Sequence, residues 1–461
     1  MPNFLAYALL GLWPLVSLAL FFKFPPGRAI ILNFLIAYLV LPPLPTEFDL
    51  PLVPPLNKET LPAVSALIIC ILMYGSQMTL FPITLLARIF LIFLVGTPVI
   101  TALTNGDAVT FGRFFIQPLS LKEGITMMLG NALMVIPFIL ALNFLRTEKD
   151  QRDLLIALVV AGLVYSLPML FEVRMSPQLN TWIYGFFQHS FVQMMRGDGF
   201  RPIVFLNHGL AVAFFCFTCI LAAVTLFRHE KTQSRPALKF LGAAIYLFVV
   251  LILCKSLGSL LFALLAVPLV IFLKVRMQLV IAAFIAVVVM LYPVLKGNQL
   301  IPEREILAQV DSINPERAWS LRYRLVNEAI LLDRAAYKPW FGWGTFGRSL
   351  IHDQDGQILT VPDGRWIVTL GTFGWIGFIG EFGTLGFPLL LLLFRIKSIQ
   401  ASKVSPIFGG LALLLAFNLI DLLPNSTLTP LTWITAGAVL GFSERLGITR
   451  LRSRPRWQAV M

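Results

Sequence analysis

Apolar runs of near-membrane length recur along most of this chain. A helix of about 20 apolar residues crosses roughly 30 Å of hydrocarbon. Thirteen runs can be traced, at 4–22, 29–44, 61–76, 83–103, 123–145, 154–171, 203–227, 238–254, 258–273, 279–295, 367–394, 405–423 and 431–443. Backbone groups in lipid must be satisfied internally, which leaves helices or closed barrels. Barrel strands alternate apolar and polar residues with period two, and these runs do not. The expected fold is all-α, a polytopic transmembrane helical bundle of about 12–13 spans. Composition agrees: 58% of the 461 residues are hydrophobic and 13% charged, against roughly 45–50% and about 25% in soluble domains.

The net charge of +13 is placed by topology. Basic residues collect in short connectors at Arg146–Arg152, Arg228–Arg235, Lys274–Arg276 and Arg395–Lys403, and in the tail Arg445–Arg456. Such segments mark the cytoplasmic side of a membrane protein, so no nucleic-acid partner is expected. The segments 45–60, 104–122, 172–202, 296–366 and 424–430 then face outside. Prolines 42, 82, 98, 137, 168 and 268 are expected to kink or end helices. Cys70, Cys216, Cys219 and Cys254 fall inside apolar runs and read as small buried hydrophobes. Met1–Phe22 lacks a basic leader and a small-residue cleavage site, so it reads as a retained span.

Four regions follow: N-terminal spans with short external loops (1–202), central spans (203–295), a large external loop (296–366), and C-terminal spans with a basic tail (367–461). The large loop is the chain's main polar departure, and loops on rigid scaffolds tend to carry function. Within it, Pro315–Lys338 has helical periodicity, with Leu321, Leu325, Ala329, Leu332 and Ala336 expected to rest on the bundle. Arg317 and Arg324 fall near one azimuth, with Arg322 rotated away. The helix should stop at Lys338-Pro339. Trp340-Phe341-Gly342-Trp343-Gly344 follows, a glycine turn whose aromatic rings suit an interface or a sugar face.

Clustered arginines suit phosphate, because the planar guanidinium donates paired hydrogen bonds and keeps its charge. The external face offers Arg196, Arg201, Lys255, Arg317, Arg322 and Arg324. Either an anionic diphosphate explains them, or Glu303, Glu305, Asp311, Glu316 and Glu328 neutralise them in surface ion pairs. Candidate bases are His208, His352, Asp353, Asp355 and Asp363, the last at the membrane rim before Gly364-Arg365-Trp366. An aspartate there also suits a helix N-cap. Glu381 and Asp421 lie in or near spans, where carboxylates face a partner or a cavity. The glycines at 371, 374 and 377 suit close helix packing. No zinc spacing, Walker loop or dinucleotide fingerprint is present, so no metal or cofactor is expected.

From Arg324 to Gly377 the chain resembles the O-antigen ligase and O-antigen polymerase superfamily, multi-span proteins with one large periplasmic loop late in the chain. Arg324, Pro339 and Phe341-Gly342-Trp343-Gly344 resemble the family's arginine, amphipathic helix and proline–glycine–glycine turn. Asp363–Gly377 resembles its loop-to-span junction, Arg196–Pro202 its earlier arginine–glycine motif, and Lys255-Ser-Leu-Gly258 its serine–arginine–glycine turn. Two positions depart from the pattern: Asp363 stands where the family's ligases have the junction histidine, and Lys255 where an arginine is common.

The resemblance implies a bacterial inner-membrane protein with a periplasmic loop. It implies transfer of an oligosaccharide from an undecaprenyl-diphosphate-linked donor to a glycan or lipid hydroxyl, metal-independent and inverting, with Asp363 or His352 as base. Partners would be that donor, the bilayer and other polysaccharide export or assembly proteins. The histidine departure favours an exopolysaccharide or O-antigen polymerase over a ligase acting on a lipid A-core acceptor. A flippase or transporter of lipid-linked oligosaccharide is the alternative of another class, and an assembly scaffold without chemistry a third.

Overall fold

The computed structural model describes residues 1–50, 53–196, 199–313, 315–396 and 404–453, with the side chains of 313, 316, 317 and 448–453 outside that description. The helices are α1 Phe4–Lys23, α2 Pro26–Val40, α3 Thr60–Tyr74, α4 Leu85–Leu103, α5 Leu121–Met134, α6 Ile136–Phe144, α7 Glu148–Met175, α8 Leu179–Tyr184, α9 Gly209–Thr232, α10 Leu238–Leu253, α11 Leu257–Phe272, α12 Val275–Gly297, α13 Glu303–Ile313, α14 Pro315–Ala336, α15 Arg365–Ile396, α16 Pro406–Asp421 and α17 Pro430–Ser453. Two small antiparallel hairpins join them, β1 Val109–Phe111 with β2 Phe114–Ile116, and β3 Met195–Arg196 with β4 Gly199–Phe200.

The fold is an all-α polytopic bundle. Among the described residues, eight helical segments are long and apolar enough to cross a membrane, and α2, α10, α11 and α16 are shorter apolar helices. Each of the thirteen apolar runs contains helix, but the run expected at 203–227 becomes helical only at Gly209, its first residues forming a turn. Prolines act as expected: Pro98, Pro168 and Pro268 lie inside α4, α7 and α11, and Pro137 opens α6, splitting the 123–145 run into two helices. Helix α9 is buried nearly all round and forms the middle of the bundle. The four cysteines are buried free thiols.

The basic connectors meet at one end. Arg152 pairs with Glu230 at 2.7 Å, Arg28 with Asp153 at 2.7 Å, and His229 lies 3.8 Å from Glu148. Arg228 donates to the carbonyls of Val270 and Leu273. Residues 57–60, 206–208 and 426–430 gather at a separate cavity, together with Arg365 at the start of α15.

Helix α15 departs from the expected single span at 367–394. Gly374 has φ 65° and ψ −166°, a region open in practice only to glycine. Arg365 and Glu381 are sixteen residues apart, yet their side chains meet at 2.7 and 2.6 Å. On a straight helix those Cα atoms would lie about 24 Å apart. Thr369 Oγ1 also donates to Glu381 Oε1 at 3.0 Å. The chain therefore folds back at Gly374, and a short arm (365–373) lies beside a full crossing (375–396). Glycines in the second arm allow close approach: a Cβ at Gly380 would lie 2.4 Å from the backbone of Leu94 in α4, and one at Gly383 would meet Phe90. Of the three glycines expected to pack closely, a Cβ at Gly371 would lie 3.2 Å from Ser349 Cβ and one at Gly377 2.2 Å from Phe373 Cβ, while Gly374 makes the reversal.

A helix reversal leaves backbone groups without intrahelical partners, which must be met by protein. The aromatic turn after α14 meets them. Trp343 N–H donates to Gly371 O at 2.9 Å and Gly344 N–H to Thr372 O at 2.8 Å, while Trp375 N–H donates to Pro339 O at 2.7 Å. The glycines are needed for contact: a Cβ at Gly342 would sit 2.4 Å from the Thr372 carbonyl oxygen. Buried Arg348 adds hydrogen bonds to the carbonyls of Trp343 and Asp107, tying this turn to the segment that carries β1 and β2. The stretches around Asn105–Gln117 and Pro339–Arg348 thus form one cap over the reversal.

Helix α14 lies on the bundle through a face different from the expected one. Ala318, Asn327, Glu328, Leu331 and Ala335 are buried, whereas Ala329 and Ala336 are exposed. The buried stripe includes polar residues: Asn327 accepts from Val361 N–H at 2.9 Å, and Glu328 accepts from Tyr292 Oη at 3.4 Å. A hydrophobic pattern cannot register a face held partly by hydrogen bonds.

Candidate functional site

A cavity of about 470 Å³ opens where residues 57–60, 206–208 and 426–430 meet the start of α15. One wall is polar, with Lys58, Glu59, His208, Arg365 and Thr427. The other is apolar, with Gly130, Leu133, Met134, Pro137 and Leu428.

The Asn57-Lys58-Glu59-Thr60 turn is set by its own sequence. Asn57 Oδ1 accepts the N–H of Glu59 at 3.0 Å and of Thr60 at 3.2 Å, capping α3. Lys58 is only 5% exposed, and its Nζ donates to Phe205 O at 2.8 Å. Burial pushes the Lys58 ammonium down to about 7, against the pull of Glu59. Burial likewise raises the Glu59 carboxyl, opposed by Lys58 and Arg365. Arg365 directs Nε and Nη2 at Glu381, so Nη1 takes no part in that fork.

The turn before His208 is held from below. Glu172 accepts three backbone N–H groups, from Leu179 at 3.1 Å, Ile203 at 2.8 Å and Val204 at 2.7 Å. His208 Nδ1 accepts the N–H of Leu210 at 2.9 Å, capping α9, so the neutral ring carries its proton on Nε2. Burial, then His189, Arg201, Arg324 and Arg196, lower the His208 imidazole to about 4. The residue is a neutral donor.

Several expected residues lie near this end without lining the cavity. The charges of Arg201, Arg324 and Arg196 all act on His208. Arg201 is buried with its stem against Gly209, where a Cβ would lie 2.4 Å from Arg201 Cδ. Arg201 Nη2 donates to Lys255 O at 3.2 Å, and Lys255 Nζ donates to Arg196 O at 2.8 Å. Lys255 has φ 52°, so the turn is held as a staple between α10 and the β3–β4 hairpin. Arg324 Nε lies 3.3 Å from Asp363, and its Nη1 donates to Pro424 O at 3.2 Å. Asp363 thus faces an arginine, while Arg365 N–H goes to the carbonyls of Leu422 and Asn425.

Others lie apart. His352 packs against Phe111 and Phe114, with ring centroids 5.0 and 5.3 Å away, and does not line the cavity. Asp353 accepts the N–H groups of Asp355 and Gln357, forming a turn. Arg322 is exposed on α14, and the side chain of Arg317 lies outside the described residues. Trp340 is exposed, but the face of Trp343 is taken by the Arg334 guanidinium, 3.7 Å from the ring centroid, so it offers no open sugar platform. Glu303 and Glu328 turn to Lys296 rather than to the arginines. Asp421 accepts from Asn425 at 2.9 Å and Thr427 at 2.5 Å.

Sequence reasoning missed Lys58, Glu59 and Arg365. A signal was present: each sits at the mouth of an apolar run, Glu59 just behind an Asn cap and Arg365 two residues past Asp363. No protein-family model matches the chain, and no curated protein matches it.

Proposed function

We propose that this protein transfers an oligosaccharide from a polyprenyl-diphosphate-linked donor to a hydroxyl of a glycan or lipid acceptor, as an exopolysaccharide or O-antigen polymerase of a bacterial inner membrane. The reading rests on one observation above others. Lys58 and Arg365, from distant parts of the chain, line one cavity with His208, and the charges of Arg201, Arg324 and Arg196 bear on that ring although none of the three lines the cavity. Cations drawn from distant parts of a chain toward one pocket suit a dianionic headgroup and stabilise its charge as it leaves. The apolar wall formed by Gly130, Leu133, Met134 and Pro137 suits the first isoprene units. A volume of about 470 Å³ is in the range of small-molecule sites.

In this reading the loop 296–366 is periplasmic, the reaction needs no metal, and it inverts the anomeric centre. The neutral His208, whose Nε2 lies 3.4 Å from Gln193 Oε1, exchanges that contact to donate to a phosphate oxygen. Transfer to a lipid A-core acceptor uses the same donor grip and differs only in acceptor. Arg324→Ala, followed by glycan chain length in cells, is the test. Precursor that crosses the membrane but fails to elongate supports transfer. Precursor held in the cytoplasm favours a flippase, and unchanged chains favour a scaffold.

A further inference from the structure

Resting on that reading, we infer that Glu59, and neither Asp363 nor His352, is the general base that takes the proton from the acceptor hydroxyl. Among the described residues, Glu59 is the carboxylate that lines the cavity. Four other acids near the cavity are occupied. Glu381 faces Arg365, Asp363 faces Arg324, Asp421 takes donors from Asn425 and Thr427, and Glu172 takes three backbone N–H groups. The Glu59 carboxylate accepts no hydrogen bond from the described residues, so its oxygens are left for a ligand. A general base needs that open lone pair within reach of the reacting hydroxyl. His208 cannot serve, because its Nδ1 is spent on the Leu210 N–H.

The step balances without a co-reactant. The acceptor oxygen forms a bond to the anomeric carbon as the bond from that carbon to the diphosphate oxygen breaks. The hydroxyl proton passes to Glu59, and the electron pair leaves on the polyprenyl diphosphate, whose charge the arginines meet. The groups facing Glu59 are Lys58 beside it, Arg365 from the short arm of α15, Tyr38 from α2 and His208 across the cavity. Burial, the largest influence, raises the Glu59 carboxyl, while Lys58 and Arg365 pull it back toward the ionised form.

The test uses the full chain in nanodiscs with a polyprenyl-diphosphate-linked oligosaccharide and a glycan acceptor. Wild-type protein that makes no product overturns the proposed function itself. Given wild-type product, Glu59→Gln is expected to lower turnover about 10²- to 10⁴-fold, with undecaprenyl diphosphate binding kept within about threefold. Glu59→Asp should retain an intermediate rate, and the acid limb of the wild-type pH profile should vanish in the Gln variant. Replacing Lys58 by Gln should move that limb to higher pH. Turnover of Glu59→Gln within threefold of wild type overturns the inference, as does an acid limb that survives in it or ignores Lys58→Gln. If Glu59→Gln does not fold, the Lys58→Gln limb decides.

Discussion

Arg365 and Glu381, sixteen residues apart in an apolar stretch that reads as one span, close a two-pronged ion pair at 2.7 and 2.6 Å. The pair records that α15 turns back on itself at Gly374. It also sets the inner wall of the cavity, because the same guanidinium lines it. Glu381 is 1% exposed, and removing one partner of a buried pair leaves the other charge uncompensated. Glu381→Ala is expected to cost about 3–5 kcal/mol, seen as a lower melting temperature in detergent. The double change Arg365→Met with Glu381→Leu should recover much of that stability without recovering transfer.

Gly374 tolerates no side chain. Its φ is 65°, and a Cβ there would lie 2.4 Å from the Trp340 carbonyl carbon. Gly374→Ala should destabilise by about 2–4 kcal/mol through strain and overpacking. Gly242→Ala, where nothing lies within 4 Å, should leave the melting temperature unchanged.

Arg324 and Asp363 form a partly exposed pair, with side-chain exposures of 33% and 29%. Such a pair is worth about 0–1 kcal/mol. Asp363→Asn should barely change stability and should raise the KM for the donor while sparing kcat, since it only aims the arginine. Arg324→Ala should lower kcat/KM by about tenfold or more, the loss of a charge-assisted hydrogen bond to phosphate. Steady-state kinetics with varied donor separates the two.

Lys58 gives the pH dependence its sign. Burial brings its ammonium down to about 7. It is charged below that value and neutral above it. Its pull on Glu59, and on a diphosphate under the proposed function, is therefore present on the acid side and lost as pH rises past about 7. Activity should fall on the alkaline side, and Lys58→Arg should extend the profile upward because arginine keeps its charge. A pH–rate profile of the two proteins checks this.

Glu172 supports the turn that carries His208. Glu172→Gln leaves one oxygen to accept where two now take three N–H groups. A loss of about 1–3 kcal/mol is expected, with earlier proteolysis near 203–206 on limited digestion.

Much of the bundle was legible from local sequence. Run length and hydropathy are properties of contiguous residues, so the thirteen helical segments, their proline breaks and the shared end of the basic connectors follow from them. The candidate site was legible only in part. Arg201, Lys255 and Arg324 stand out because guanidinium and ammonium groups in the polar connectors need a reason, yet none of them lines the cavity. Lys58 and Glu59 were passed over because two charges beside an Asn cap look like any solvated rim. The packing of His352 against Phe111 and Phe114 was not legible, because an imidazole in a loop gives no sign of the rings beside it. The face of α14 was misread because Asn327 and Glu328 are buried by hydrogen bonds that hydropathy does not count.

The sequence by itself determined that this chain is a membrane bundle, since each segment's need to satisfy its backbone in lipid is met within the segment. Tertiary structure alone decided that α15 reverses under the aromatic turn and that Glu59 looks into a cavity. The contacts responsible join residues far apart in the chain, such as Lys58 with Phe205 across 147 positions and Thr101 with Phe341 across 240. Whether a buried carboxylate is paired or open depends on those neighbours, and no local pattern records them.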